Sequence, residues 1–293
     1  MITVEQLTKS FNGKVVVNNV SFSLKEHTST ALIGPNGAGK TTILSMLTGL
    51  LKPTSGAVKL TGVADIRTEI GFLPQYPQFY TWQTAKEAIA LYGSLSGMSK
   101  DEIKTRIDEV LRFVGLEEAS NKKIGAFSGG MKQRLGIAQA IMHKPKLLLL
   151  DEPVSALDPV GRREMMNLLK KLQQETTILY STHILNDAEQ MTDQVLFLKK
   201  GELVERGSLV DVQQKYADPQ IEVKFKSLDA ATAFRNKYEN AFIDGFVVSF
   251  PIEKEQFDTS ALFKNLQEFH DEILKVEQKT ATLEEIFLKV AGE

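Results

Sequence analysis

The sequence predicts an α/β protein: a core built around a glycine loop and preceded by an antiparallel β-layer, a helical insertion, and a small α+β unit at the C-terminal end. Three observations carry this prediction. The stretch Gly34-Pro35-Asn36-Gly37-Ala38-Gly39-Lys40-Thr41-Thr42 joins an apolar run, Thr30-Ala31-Leu32-Ile33, to the helix-like run Ile43-Leu44-Ser45-Met46-Leu47. The run Leu147-Leu148-Leu149-Leu150 ends in Asp151-Glu152, and continuous apolar strands of this kind belong to parallel sheets covered on both faces. From residue 219 to the end, strand-like and helix-like segments alternate, the pattern of a small mixed domain.

The glycine stretch fits the pattern Gly, four residues, Gly-Lys-Thr. A strand, a glycine loop and a helix in that order point backbone N–H groups into one hollow, which the positive end of the helix dipole also faces. Polyphosphate is the ligand suited to it. In this motif Lys40 reaches the β- and γ-phosphates and the Thr41 hydroxyl holds Mg²⁺, while Gly34, Gly37 and Gly39 let the backbone approach without a Cβ in the way.

Composition narrows the class. The 293 residues exceed the usual size of one domain, so a large and a small domain are expected. Lys+Arg 35 against Asp+Glu 37 gives a net charge of -2, which supplies no global electrostatic reason to expect nucleic acid as a partner. There is no cysteine, so thiol catalysis, thiolate metal sites and disulfides are excluded, as suits a reducing compartment. No basic-then-apolar leader opens the chain, and no apolar run approaches the roughly 20 residues of a membrane span. The chain is therefore expected to lack a transmembrane segment of its own.

Taken in order, residues 2–7 and 14–25 alternate as strands around Asn12-Gly13, a hairpin signal. Phe11 at that bend could stack on a nucleotide base or pack on the core. Lys52-Pro53-Thr54-Ser55-Gly56 is a turn, followed by the strand-like Ala57-Val58-Lys59-Leu60. Glu69 to Gln75 reads as a buried strand stopped by Pro74, which leaves Gln75 at the carboxyl end where open α/β sheets bind ligands. With the glycine loop, Gln75 becomes a candidate ligand of Mg²⁺ or water. Tyr76-Pro77-Gln78-Phe79-Tyr80-Thr81-Trp82 concentrates aromatics, including the sole Trp. Such rings serve either as a docking surface or as part of the insertion's core. The helical insertion spans about 77–143, and within it Ser99 and Glu102 have the spacing of a capping box.

Ala126-Phe127-Ser128-Gly129-Gly130-Met131-Lys132-Gln133-Arg134-Leu135 follows, with Ser128 as N-cap of a second helix whose N-terminus suits anions. Here the chain resembles the ATP-binding subunits of ABC transporters, whose signature is Leu-Ser-Gly-Gly-Gln. Phe127 stands for the Leu and Met131 for the Gln, and the Ser-Gly-Gly core is intact. The resemblance covers residues 1 to about 215 and rests on five elements in the right order. It implies a P-loop NTPase core of the RecA-like kind; the Ala217-Asp218-Pro219 step marks a boundary, which puts the ATP-binding domain over 1–218 and the accessory α+β domain over 219–293.

The resemblance also distributes roles. Phe11 falls where the family has its adenine-stacking aromatic, and Ser155-Ala156-Leu157-Asp158 is similar to the family's D-loop, with Asp158 in a nucleotide-binding place. His183, after the strand-like Thr176 to Thr182, matches the switch histidine that contacts the γ-phosphate. Residues 194–207, with a turn at Lys200-Gly201, are similar to the hairpin that closes the domain. Asp151 at its strand end is expected to hold Mg²⁺ together with Thr41 and Gln75, and Glu152 to orient or deprotonate the attacking water. ATP binding is expected from Phe11, Gly34, Pro35, Asn36, Gly37, Ala38, Gly39, Lys40, Thr41, Thr42, Gln75, Ser128, Gly129, Gly130 and Asp158. Lys40, Glu152 and His183 are the expected catalytic set.

In the family the two halves of a site come from two subunits, so ATP and Mg²⁺ would be held between Lys40 of one chain and Ser128 of another. The implied partners are a second ATP-binding subunit and a separate transmembrane permease, placing the chain at the cytoplasmic face of the membrane. The closing Ala281 to Phe287 is similar to ATPases that serve ABC-2 type exporters of drugs, lipids and polysaccharides. The competing reading is a soluble mechanochemical or DNA-associated ABC ATPase. Against it stand the near-neutral charge and the lack of a long coiled-coil insertion or a second glycine loop of this type.

Overall fold

The computed structural model describes residues 2–63, 65–217, 220–238, 240–251 and 259–291. It divides into two compact units, Met1–Leu209 and Val210–Glu293. The sequence puts this division at 218, a position outside the described residues. The earlier break keeps all but the first residue of helix α7 (Leu209–Tyr216) with the second unit, where Lys289 Nζ donates to the Tyr216 carbonyl.

The first unit holds a three-stranded antiparallel layer in the order β2-β1-β4: β1 (Ile2–Phe11), β2 (Lys14–Leu24) and β4 (Ser55–Leu60). Its second sheet includes β3 (Ser29–Ile33), β5 (Ile70–Leu73), β6 (Leu147–Asp151), β7 (Thr177–Thr182), β8 (Gln194–Lys199) and β9 (Glu202–Ser208). The order is β5-β6-β7-β3-β8-β9, parallel throughout except for the antiparallel edge strand β9. All four leucines of β6 are fully buried, as an apolar run flanked by strands on both sides requires. Leu147 and Leu149 share one core with Val4, Leu7 and Phe22 of the antiparallel layer and with Ile43, Leu44 and Leu47 of α1 (Lys40–Leu47). Burying each such leucine stabilises the fold by about 2 kcal/mol.

The helical insertion contains α2 (Ala85–Leu95), α3 (Lys100–Phe113) and α4 (Gly129–Ile141). Complete capping boxes at Thr84/Glu87 and Ser99/Glu102 fix the starts of α2 and α3. Ile103, Val110 and Leu111 are buried on one face of α3. Helices α5 (Pro159–Leu172) and α6 (Leu185–Met191) flank β7 in sequence. Neither of these helices, nor α7, was foreseen in the sequence.

The second unit contains a four-stranded antiparallel sheet in the order β11-β12-β10-β13: β10 (Gln220–Phe225), β11 (Phe242–Asp244), β12 (Val247–Pro251) and β13 (Ile273–Lys279). Helices α8 (Leu228–Arg235), α9 (Thr259–Glu268) and α10 (Leu283–Ala291) complete it. Val223, Phe225, Phe234, Val248 and Phe250 form its core. Strand β11 was not foreseen; its three residues are exposed and carry no periodic signal.

One half-buried titratable group ties the insertion to the sheet. His143, just past α4, reaches the Ile70 carbonyl at the start of β5 through Nε2, at 3.1 Å. Burial holds its pKa below the ordinary histidine value, against a smaller opposing effect of the Ile70 carbonyl. A histidine depressed in the folded state contributes stability that is complete above its unfolded pKa and is lost as pH falls through that value toward the folded one. Thermal unfolding midpoints are therefore expected to fall below about pH 6.5, and His143→Gln is expected to flatten that slope.

Candidate active site

The parallel register brings the site together. Consecutive strand ends along the carboxyl edge carry Gln75 after β5, Asp151 and Glu152 at β6, Ser181 and His183 at β7, and the glycine loop after β3. This is the edge at which open α/β sheets bind ligands. Asn36, Gly37, Gly39, Lys40, Thr41, Thr42, Gln75, Glu152 and His183 line one cleft, together with Val16 from β2. Val16 was not singled out in the sequence; only the hairpin geometry carries it there.

Gly39 occupies the N-cap of α1 with φ 109°, a conformation that L side chains rarely adopt. A Cβ there would also sit 3.1 Å from the Val16 carbonyl oxygen. Gly34 is required for a different reason, since its Cβ would run into the Leu198 carbonyl oxygen of β8. The β8–β9 turn supports the loop directly: Gly201 N–H donates to the Ala38 carbonyl at 2.9 Å, and Asn18 N–H donates to the Gly201 carbonyl at 2.8 Å.

Lys40 is buried, and its ammonium donates to the Gly34 carbonyl at 2.7 Å and to the Pro35 carbonyl at 3.3 Å. It also lies 3.6 Å from Glu152 Oε1. Two carbonyl acceptors and a carboxylate at ion-pair distance offset the cost of burying this cation. Glu152 is itself buried and has φ 50°, in the left-handed region. Its Oε2 is 2.8 Å from His183 Nδ1, where an ionised carboxylate can only accept, so the imidazole presents Nδ1–H. Asp151 lies beneath, 3% exposed, and its Oδ1 accepts the Ser181 hydroxyl at 2.6 Å. Ser181 Oγ in turn accepts the Glu152 N–H at 2.9 Å. Ser181 was not singled out in the sequence, because its place beside Asp151 depends on the register of β6 against β7.

The residue types fit a magnesium nucleotide. Hydroxyl, amide and carboxylate oxygens from Thr41, Gln75 and the β6 end suit a hard cation. Among the described residues no three His, Cys, Asp or Glu side chains converge on a metal site.

The remaining predicted residues stand elsewhere. Ser128 caps α4, accepting the Met131 N–H at 3.2 Å. Ser128, Gly129 and Gly130 line a second cleft with Asp158, whose carboxylate caps α5 by accepting the Gly161 N–H at 2.8 Å. None of these four lines the Lys40 cleft. Phe11 sits at the β1–β2 turn, 43% exposed and under the Lys9 ammonium, and is not among the lining residues of the Lys40 cleft. Of the aromatic cluster, Tyr76, Tyr80 and Trp82 are exposed, Tyr80 and Trp82 stacked with centroids 5.5 Å apart, whereas Phe79 packs edge-on against Tyr92 of α2.

Residues 17–155 match the ABC transporter family. The uncharacterized ABC transporter ATP-binding protein YxlF of Bacillus subtilis (strain 168) is 45% identical over 293 residues, covering 99% of both chains. This chain belongs to the ABC transporter ATP-binding family. The bacitracin transport ATP-binding protein BcrA of Bacillus licheniformis is 35% identical over 304 residues, covering 100% of this chain and 97% of the relative. A solved ATP-binding subunit of an ABC transporter superposes with TM-score 0.67 at 30% identity, over 74% of this chain and 93% of that one. The dimeric, post-hydrolysis cassette MJ0796 bound to ADP and Pi superposes with TM-score 0.64 at 31% identity, over 71% and 99%. The ABC subunit described here is accordingly an ATP-hydrolysing enzyme of a transport system, on a P-loop fold. ABC cassettes dimerise and work with membrane permeases; no helix among the described residues of this one is long and apolar enough to cross a membrane.

Proposed function

We propose that this ABC subunit hydrolyses ATP sandwiched between two cassettes and so drives a separate permease that exports its substrate. The observation that carries this reading is the separation of the two clefts: Lys40, Glu152 and His183 converge in one, while Ser128, Gly129 and Gly130 open into another. A nucleotide in the first cleft meets the Ser-Gly-Gly helix of a second cassette, so the nucleotide itself joins the pair.

In this scheme Lys40 exchanges loop carbonyls for phosphate oxygens, and the loop N–H groups hold the β-phosphate. Thr41, Gln75 and Asp151 would hold Mg²⁺, which when bound offsets the charge developing on the transferred phosphoryl group. Glu152 polarises the attacking water for in-line displacement, and His183, oriented through Nδ1–H on Glu152, presents its other nitrogen toward the γ-phosphate. Phe11 takes the adenine ring, and Asp158 contributes from the second cassette. Hydrolysis removes the bridging nucleotide, and the pair opens.

The permease docks at Tyr76, Tyr80 and Trp82, since exposed, stacked aromatics anchor interfaces, and this holds the subunit at the inner membrane surface. Export is supported by full-length likeness to a bacitracin transport protein and to a linearmycin resistance protein of Bacillus subtilis (strain 168), the latter 31% identical. An affinity pull-down from detergent-solubilised native membranes tests the reading. A multi-span membrane protein is expected to co-purify and to stimulate ATP hydrolysis, and Trp82→Ala is expected to weaken its capture about tenfold or more. Recovery of soluble proteins or DNA alone would remove the transport assignment.

A further inference from the structure

We infer that Ser181 is a positioning residue for ATP hydrolysis, a hydroxyl that sets both carboxylates at the end of β6. The inference rests on the roles proposed above for Asp151 and Glu152. Its basis is geometric. Parallel pairing of β6 with β7 puts Ser181 in register with Asp151, and Ser181 has no solvent exposure. Its Oγ donates to Asp151 Oδ1 at 2.6 Å and accepts the Glu152 N–H at 2.9 Å. One atom thus links two consecutive residues whose side chains do different work.

Each bond has a separate consequence. Donation to Asp151 leaves that carboxylate rotationally fixed, as the partners behind metal-binding carboxylates do in metal sites generally. Acceptance from Glu152 fixes a backbone that is otherwise unfavourable, because Glu152 lies at φ 50° without being glycine. The Glu152 carbonyl is held as well, accepting Ser155 N–H at 3.2 Å and Ser155 Oγ–H at 3.1 Å. Between these two serines the peptide units on both sides of Glu152 are clamped, and its carboxylate is directed at Lys40 and His183. Without the Ser181 hydroxyl, the Glu152 N–H loses its buried acceptor, and the residue can relax out of the left-handed region and away from the cleft.

The test compares Ser181→Ala, which deletes the hydroxyl, with Ser181→Thr, which keeps it on a residue suited to a strand. Three quantities are read on the full chain: steady-state ATPase kcat and KM, affinity for a fluorescent ATP analogue, and Mn²⁺ affinity in the presence of ADP by electron paramagnetic resonance. For S181A, kcat is expected to fall about 10- to 100-fold and Mn²⁺ affinity to weaken by a similar factor. Its nucleotide affinity stays within about threefold, because the glycine loop is untouched. S181T is expected to stay within about threefold of the wild type in all three, since the hydroxyl oxygen is retained. Wild-type kcat and Mn²⁺ affinity in S181A would overturn the inference. So would loss of nucleotide affinity in parallel with kcat, which marks a general structural role, or equal loss in S181T, which marks a need for small volume. A parallel Glu152→Gln variant separates the two levels: normal turnover there removes the assignment of the base, whereas an inactive E152Q beside a fully active S181A removes only the role of Ser181.

Discussion

Glu152→Gln is expected to lower ATP turnover by about 10²- to 10⁴-fold, the range supplied by a positioned general base, while nucleotide binding survives. The substitution keeps volume and shape, so the residue can remain in its left-handed conformation with its N–H on Ser181 and its carbonyl on Ser155. The amide oxygen can still accept His183 Nδ1–H. What disappears is the negative charge 3.6 Å from Lys40 and the capacity to take a proton from water. Bound ATP is then not consumed, and paired cassettes accumulate. Size-exclusion chromatography in millimolar ATP and Mg²⁺ is expected to shift the variant to a dimer that the wild type populates only transiently. Turnover at the wild-type rate would overturn the assignment of Glu152.

The second large effect is expected far from the chemistry in sequence, at Gly201→Ala. Gly201 has φ 83°, so any side chain there costs about 1 kcal/mol in backbone conformation. Its Cβ would also run into the Val16 carbonyl oxygen, a backbone atom that cannot rotate aside. Relieving that overlap by moving backbone costs a further 1–3 kcal/mol or so. Gly201 N–H is the donor to Ala38 within the phosphate loop, so the displacement reaches Val16 and the loop together. The melting temperature is expected to drop by about 5–12 °C, with ATP affinity falling alongside. For the melting temperature Gly37→Ala is the control: its φ is 80°, but open space surrounds the added Cβ, so only the conformational cost of about 1 kcal/mol is expected in folding stability. Equal losses in the two variants would refute the steric argument.

Much of this was legible in the sequence because the chemistry is local. The glycine loop, the leucine run with its two carboxylates and the Ser128 cap each contain, within ten residues, the physical reason for their structure. The capping box at Ser99 was equally readable and is formed in full. Helix α5 was signalled too, by Asp158-Pro159 ahead of Met165, Met166, Leu169 and Leu172, the buried positions of its inner face. Asp158 also caps that helix, accepting the Gly161 N–H. Ser181 and Val16 were not legible for a different reason: their placement depends on which strands pair and in what register, and nothing within β2 or β7 alone encodes it. Strand β11 was missed because three exposed residues leave no alternation to read.

The support of the phosphate loop by the β8–β9 turn has a consequence for how the protein is made. The loop emerges from the ribosome early, yet the N–H that steadies Ala38 and the strand that packs over Gly34 belong to residues synthesised much later. A nascent chain that has just released α1 carries the complete phosphate-binding motif without its backing. The backing of the phosphate loop is therefore complete only when the turn at Lys200-Gly201 folds back onto Val16 and Ala38.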